Sequence, residues 1–150
     1  MCMKIQQVSV LLARIALFVI YFWFGFLKVI GQSPASEMVN TMFNKTMSPM
    51  LPFLSFGSFI ILFGLFEMLI GGLFIIPGLE KTALILFFAH ILTTMLPLFM
   101  MSEVWTRAFV PTLEGQYIVK NLALIACAVS VWSTIVPKEK MSEKVTIKIT

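Results

Sequence analysis

The sequence contains no aspartate and one histidine, and only 12% of its 150 residues are charged. Soluble domains carry about 25% charged residues, so a water-solvated globular unit is excluded. With Cys2 and Cys127 as the only cysteines, no CxxC pair exists. Thiol-relay chemistry that needs adjacent redox cysteines is therefore disfavoured. The first apolar run is too long for a cleaved leader and lacks a small-residue cleavage site, so it reads as a retained first span.

What is present is hydrophobic: 59% of residues are apolar, mean hydropathy is +0.98, and there are 15 Phe and 11 Met. The expected class is all-α, an integral membrane four-helix bundle. Spans are expected at 8–30, 53–76, 80–101 and 116–136, each long enough for about 30 Å of hydrocarbon. The Gly31-Gln32-Ser33-Pro34 break precedes a short amphipathic interfacial helix at about 34–44, with Met38, Val39, Met42 and Phe43 on its apolar side. The segment 102–116 is expected to be a loop, with Trp105 and Phe109 in an interfacial belt. A basic tail, 138–150, holds Lys138, Lys140, Lys144 and Lys148. Its VTIKIT alternation suits a strand only if something pairs with it, and the tail otherwise reads as disordered or partner-bound. Basic residues in the flanks place both termini in the cytoplasm. Without interleaved aromatics, the basic tail suits an anionic lipid leaflet, not nucleic acid.

Few polar groups interrupt the spans, and they carry the functional argument. Glu67 lies in FLSFGSFIILFGLFEMLIGGLFII, a run with no other charge and no proline. A carboxylate there costs roughly 2.5–3.5 kcal/mol on insertion scales and needs a partner inside the bundle. Counting residues from the expected cytoplasmic ends puts Glu67 and His90 about 14 Å deep and Arg14 about 9 Å deep. The expectation is a buried polar cluster of Arg14, Glu67 and His90, with Arg14 and Glu67 as an ion pair. Such a pair either locks helix packing or lines a proton or redox-ligand path. Haem ligation through His90, with a methionine opposite, rests only on one histidine among many methionines.

In the first span Arg14, Tyr21, Gly25 and Lys28 share one face, at spacings of seven, four and three. Lys28, Tyr117, Lys120 and Asn121 collect at the other boundary. They read as snorkelling anchors or as donors for an anionic or carbonyl-bearing headgroup such as a quinone. Gly64 and Gly71 flank Glu67 and suit close helix contact. No metal-ligand spacing is present.

The ordered pieces WFGFLKVIG, SPA, GLFEMLIGG, LTTMLPL and PTLEGQYIVKNLALI resemble those of the DoxX-like membrane proteins, particularly their YkgB-like branch, over about residues 10–135. The resemblance marks Arg14, Gly25, Lys28, Glu67, Gly71, Lys120 and Asn121. It implies a bacterial inner-membrane protein in respiratory or oxidative-stress redox physiology, quinone-associated or accessory to a protein partner or a second copy. An assembly or chaperone-like role with a purely structural ion pair stays open. So does a stand-alone quinone- or haem-binding oxidoreductase.

Overall fold

The computed structural model describes the backbone of residues 2–149 and the side chains of residues 5–135. Four helices are long and apolar enough to cross a membrane: Ile5–Val29, Phe56–Ile75, Glu80–Met100 and Leu113–Ile135. The elements are α1 (Cys2–Val29), α2 (Ser36–Thr46), α3 (Phe56–Ile75), α4 (Glu80–Met95), α5 (Pro97–Met100), a 3-10 turn (Ser102–Val104), strands β1 (Trp105–Arg107) and β2 (Val110–Pro111), α6 (Leu113–Val119) and α7 (Asn121–Ile149). In the bundle α1 packs on α3 and α7, and α4 packs on the same two from the other side.

Helix ends follow local chemistry. Gly31 closes α1 at φ +71°, with its N–H on the Lys28 carbonyl and the Gln32 N–H on the Leu27 carbonyl. That is the paired bonding of a left-handed glycine cap. Ser55 caps α3 by accepting from the Ser58 N–H. Ser33 does not cap α2. Its hydroxyl accepts from the Ala35 N–H at 3.3 Å, and the helix starts at Ser36.

The third span is broken between α4 and α5, because Pro97 has no N–H to continue the ladder. The Leu96 N–H takes the Thr93 carbonyl instead. The hydroxyls of Thr93 and Thr94 bond the carbonyls of His90 and Ile91 at 2.7 and 3.1 Å. The fourth span is divided at Lys120 into α6 and α7. α7 continues past the expected end at 136 and carries the backbone of the tail as helix to Ile149. The expected loop folds into the 3-10 turn and an antiparallel hairpin, with Phe109 at its tip at φ 60°.

α1 and α3 meet at glycines. A Cβ on Gly64 would lie 2.6 Å from the Gly25 carbonyl oxygen, and one on Gly71 would lie 3.0 Å from the Phe22 amide. Backbone approach this close is how helices gain contact where lipid removes the hydrophobic drive. It also fixes their antiparallel register: Gly25 is level with Gly64, and the Phe18–Phe22 turn with Gly71. Below these glycines the core is Ala13, Leu17, Ile70, Phe74, Ala83, Phe87, Ala128 and Val131, all buried. A second cluster, Met101, Val104 and Ile118 with Met38, Met42 and Trp105, covers the α2 end. There the Trp105 indole N–H donates to the Leu98 carbonyl at 3.0 Å. Lys45 of α2 pairs with Glu103 at 3.0 Å. The Glu103 carboxyl is held below the ordinary carboxylate range by its own backbone N–H and then by Lys45.

A candidate headgroup site around Glu67

Glu67 is buried, and its partner is Lys28: Nζ donates to Oε2 at 2.6 Å. The expected Arg14–Glu67 pair does not form. Arg14 Nη1 bonds Glu80 Oε1 at 2.8 Å, while Nε and Nη2 bond the Phe74 and Ile75 carbonyls at 2.7 and 3.3 Å. Arg14 thus caps the C-terminus of α3. Glu80 ties that cap to the α3–α4 turn by accepting from the Gly78 N–H at 2.8 Å.

Two physical effects moved the charges. α1 begins at Cys2 and overhangs α3, so counting from flush helix ends placed Arg14 too deep. Side chains also lean toward the N-terminus of their own helix. Near the C-terminal end of α1 that lean turns Lys28 inward, one turn along α3 from Gly64 to Glu67. We expect Arg14→Gln to cost about 1–2 kcal/mol, as for a cation at a helix C-terminus. The check is thermal unfolding in detergent, with Glu67→Gln and Arg14→Gln adding independently.

His90 does join Glu67. Its Nε2 lies 3.2 Å from Glu67 Oε1, yet off the direction of a hydrogen bond, and it has no other partner among the described residues. Nδ1 lies 3.2 Å from the Tyr21 hydroxyl. Phe63 stacks on the imidazole at 5.0 Å, with Tyr21 edge-on at 5.3 Å. Lys28 also sits 5.6 Å over the Phe63 ring. The result is a chain, Lys28–Glu67–His90–Tyr21, drawn from α1, α3 and α4 and held by aromatic faces. Among the described residues no group of three His, Cys, Asp or Glu side chains could hold a metal ion.

These four residues form one wall of a cavity of about 360 Å³, within the usual range for small-molecule sites. Tyr117 and Asn121, expected at the outer boundary, line it. So do Thr94 and the apolar side chains Ile20, Phe24, Met38, Ile91, Ile118 and Leu124. Lys120 does not line it. That side chain is exposed and rests on the Tyr117 ring, 4.8 Å from its centre. So the two groups read from the sequence exchange members: Lys28 moves into the buried cluster, and Arg14 and Lys120 leave.

Sequence reasoning missed Tyr21 as a site residue. The sequence signal was the face that Tyr21 shares with Gly25 and Lys28; the match of Gly25 with Gly64, one turn from Glu67, is what the structure adds. Comparison with family models, with curated proteins and with solved structures found no match.

Proposed function

We propose that this cavity binds a quinone-type headgroup. On this reading the protein is a membrane subunit accessory to redox enzymes of a bacterial inner membrane, the setting implied by the resemblance to DoxX-like proteins. The observation that carries it is the buried His90 Nε2, in contact with Glu67 yet without a hydrogen bond, beside the Lys28–Glu67 pair in the wall of a mainly apolar cavity.

A carbonyl-bearing ring needs flat apolar walls and a few donors. Lys28 offers N–H groups beyond the one given to Glu67, and Tyr117 and Asn121 offer an O–H and an amide. A quinone, when bound, supplies two-electron, two-proton chemistry. The residues supply a seat, exclusion of water and a place to hold a proton between His90 and Glu67. With both termini cytoplasmic, as the flanking lysines favour, the site lies toward the outer half of the membrane.

A structural reading also has support, since Lys28 and Glu67 satisfy each other without a ligand. Calorimetric titration of the purified protein in lipid nanodiscs with ubiquinone-1 separates the two. We expect saturable binding, weakened about tenfold by His90→Gln, the loss of roughly one hydrogen bond. No saturable binding to the wild-type protein leaves the structural lock as the function of the cluster.

A further inference from the structure

The cavity has two ends, and they differ in chemistry. Toward the α2 end it meets Ser33, Pro34, Ala35 and Met38. That end is roofed by the Met101, Val104 and Ile118 cluster and strapped by the Lys45–Glu103 pair. The other end is the seam between α1 and α6/α7. There the lining residues are Ile20 and Phe24 on one side and Leu113, Glu114, Tyr117, Asn121 and Leu124 on the other.

Phe24, Leu113 and Tyr117 are 45%, 62% and 59% exposed, and they belong to the segments Ile5–Val29 and Leu113–Ile135 that are long and apolar enough to cross a membrane. Deeper down the same seam is shut, because the buried Ala13 and Leu17 of α1 and Ala128 and Val131 of α7 belong to one packed core. A slot results, polar where α1, α3 and α4 converge and mainly apolar where α1 and α7 part, with the exposed Glu114 beside Leu113 and Asn121 between Tyr117 and Leu124. From Leu113 to Leu124 it runs about 16 Å at 1.5 Å per residue.

We infer that the ligand is a chain-bearing amphiphile that enters sideways from the bilayer. Its head seats against Lys28 and His90, and its apolar tail leaves through the α1–α7 seam over Ile20, Phe24 and Leu124. The inference rests on the quinone reading for the head, while the path of the tail is read from the seam alone. Matching of polar wall to head and apolar wall to tail favours this route: a tail directed past Ser33 and Pro34 would be driven into headgroups and water. A head without a tail would leave the Ile20–Leu124 part of the slot unfilled, and those apolar contacts would go unused.

The test uses a decyl benzoquinone carrying a diazirine at the end of its chain, photolysed with the full-length protein in nanodiscs and mapped by peptide mass spectrometry. Adducts should concentrate on Ile20–Phe24 and Leu124, well above those on the lipid-facing Leu62 and Leu65 of α3, which are 59% and 48% exposed. Excess unlabelled decyl benzoquinone should remove that concentration. Leu124→Trp, which fills the seam, should weaken the chain-bearing quinone about tenfold and by more than it weakens ubiquinone-1. Adducts on Ser33–Met38, or adducts no denser at the seam than on α3, overturn lateral access even if ubiquinone-1 still binds, in which case the headgroup reading stands. Failure of both quinones to bind overturns both.

Discussion

Lys28→Met is expected to be the most damaging single substitution, costing about 3–5 kcal/mol, because it leaves the Glu67 carboxylate buried without its partner. Lys28 and Glu67 are 7% and 8% exposed at the side chain, so water does not compensate, and His90 Nε2 is poorly aimed to replace the ammonium. Glu67→Gln should cost less, since the amide oxygen still accepts from Lys28. The double variant Lys28→Met/Glu67→Gln should be more stable than Lys28→Met alone, because the uncompensated charge is gone. Unfolding of all four proteins in one detergent gives the interaction energy. Additive losses would show that the two side chains do not meet.

The second large effect is expected at the α1–α3 contact. Gly64→Leu places a branched side chain where a Cβ already lies 2.6 Å from the Gly25 carbonyl oxygen and 2.9 Å from Lys28 Cβ. Neither neighbour is the free end of a flexible chain, so the helices must separate. Overpacking of this kind costs about 1–3 kcal/mol in soluble cores, and here it also pulls Lys28 away from Glu67. Folded yield should collapse, while Gly72→Leu, with nothing within 4 Å of its Cβ position, should fold normally. Size-exclusion profiles of the two variants make the comparison, and equal behaviour would show that the glycine contact does not set the register.

The two predictions are linked, since the glycines bring Lys28 level with the turn before Glu67. They also show why the sequence was legible in one respect and not in another. Spans, the turn after α1 and the interfacial helix could be read because each rests on a long apolar run or on a local signal such as Gly31, whereas the breaks at Pro97 and Lys120 fall inside segments expected to be continuous. The shared face of Tyr21, Gly25 and Lys28 was legible for the same reason: helical spacing is local. Pairing across helices was not. It depended on how far α1 overhangs α3 and on the inward lean of Lys28, and residue counting contains neither. The cavity was hidden for a further reason: its α2 end is closed by α2, the 3-10 turn and Ile118 of α6, segments brought together only by tertiary packing.

Arg14 illustrates the distinction. It carries charge on the right face of α1, and only register separates a partner of Glu67 from a cap on Phe74 and Ile75. Depth along a helix axis is a statement about Cα positions, whereas an ion pair is a statement about side-chain ends several ångströms away.

The central claim is that Glu67, the one buried carboxylate among the described residues, is held by Lys28. Solid-state NMR in lipid bilayers, with ¹⁵N on lysine Nζ and arginine Nη and ¹³C on glutamate carboxyls, measures that contact directly. The account predicts Lys–Glu dipolar dephasing from two pairs, Lys28–Glu67 and Lys45–Glu103: the Lys28–Glu67 share is lost in Glu67→Gln and in Lys28→Met while the Lys45–Glu103 share stays, with the arginine–glutamate signal unchanged in both variants and abolished by Glu80→Gln. Loss of the arginine–glutamate signal in Glu67→Gln, with the lysine signal intact, would contradict it.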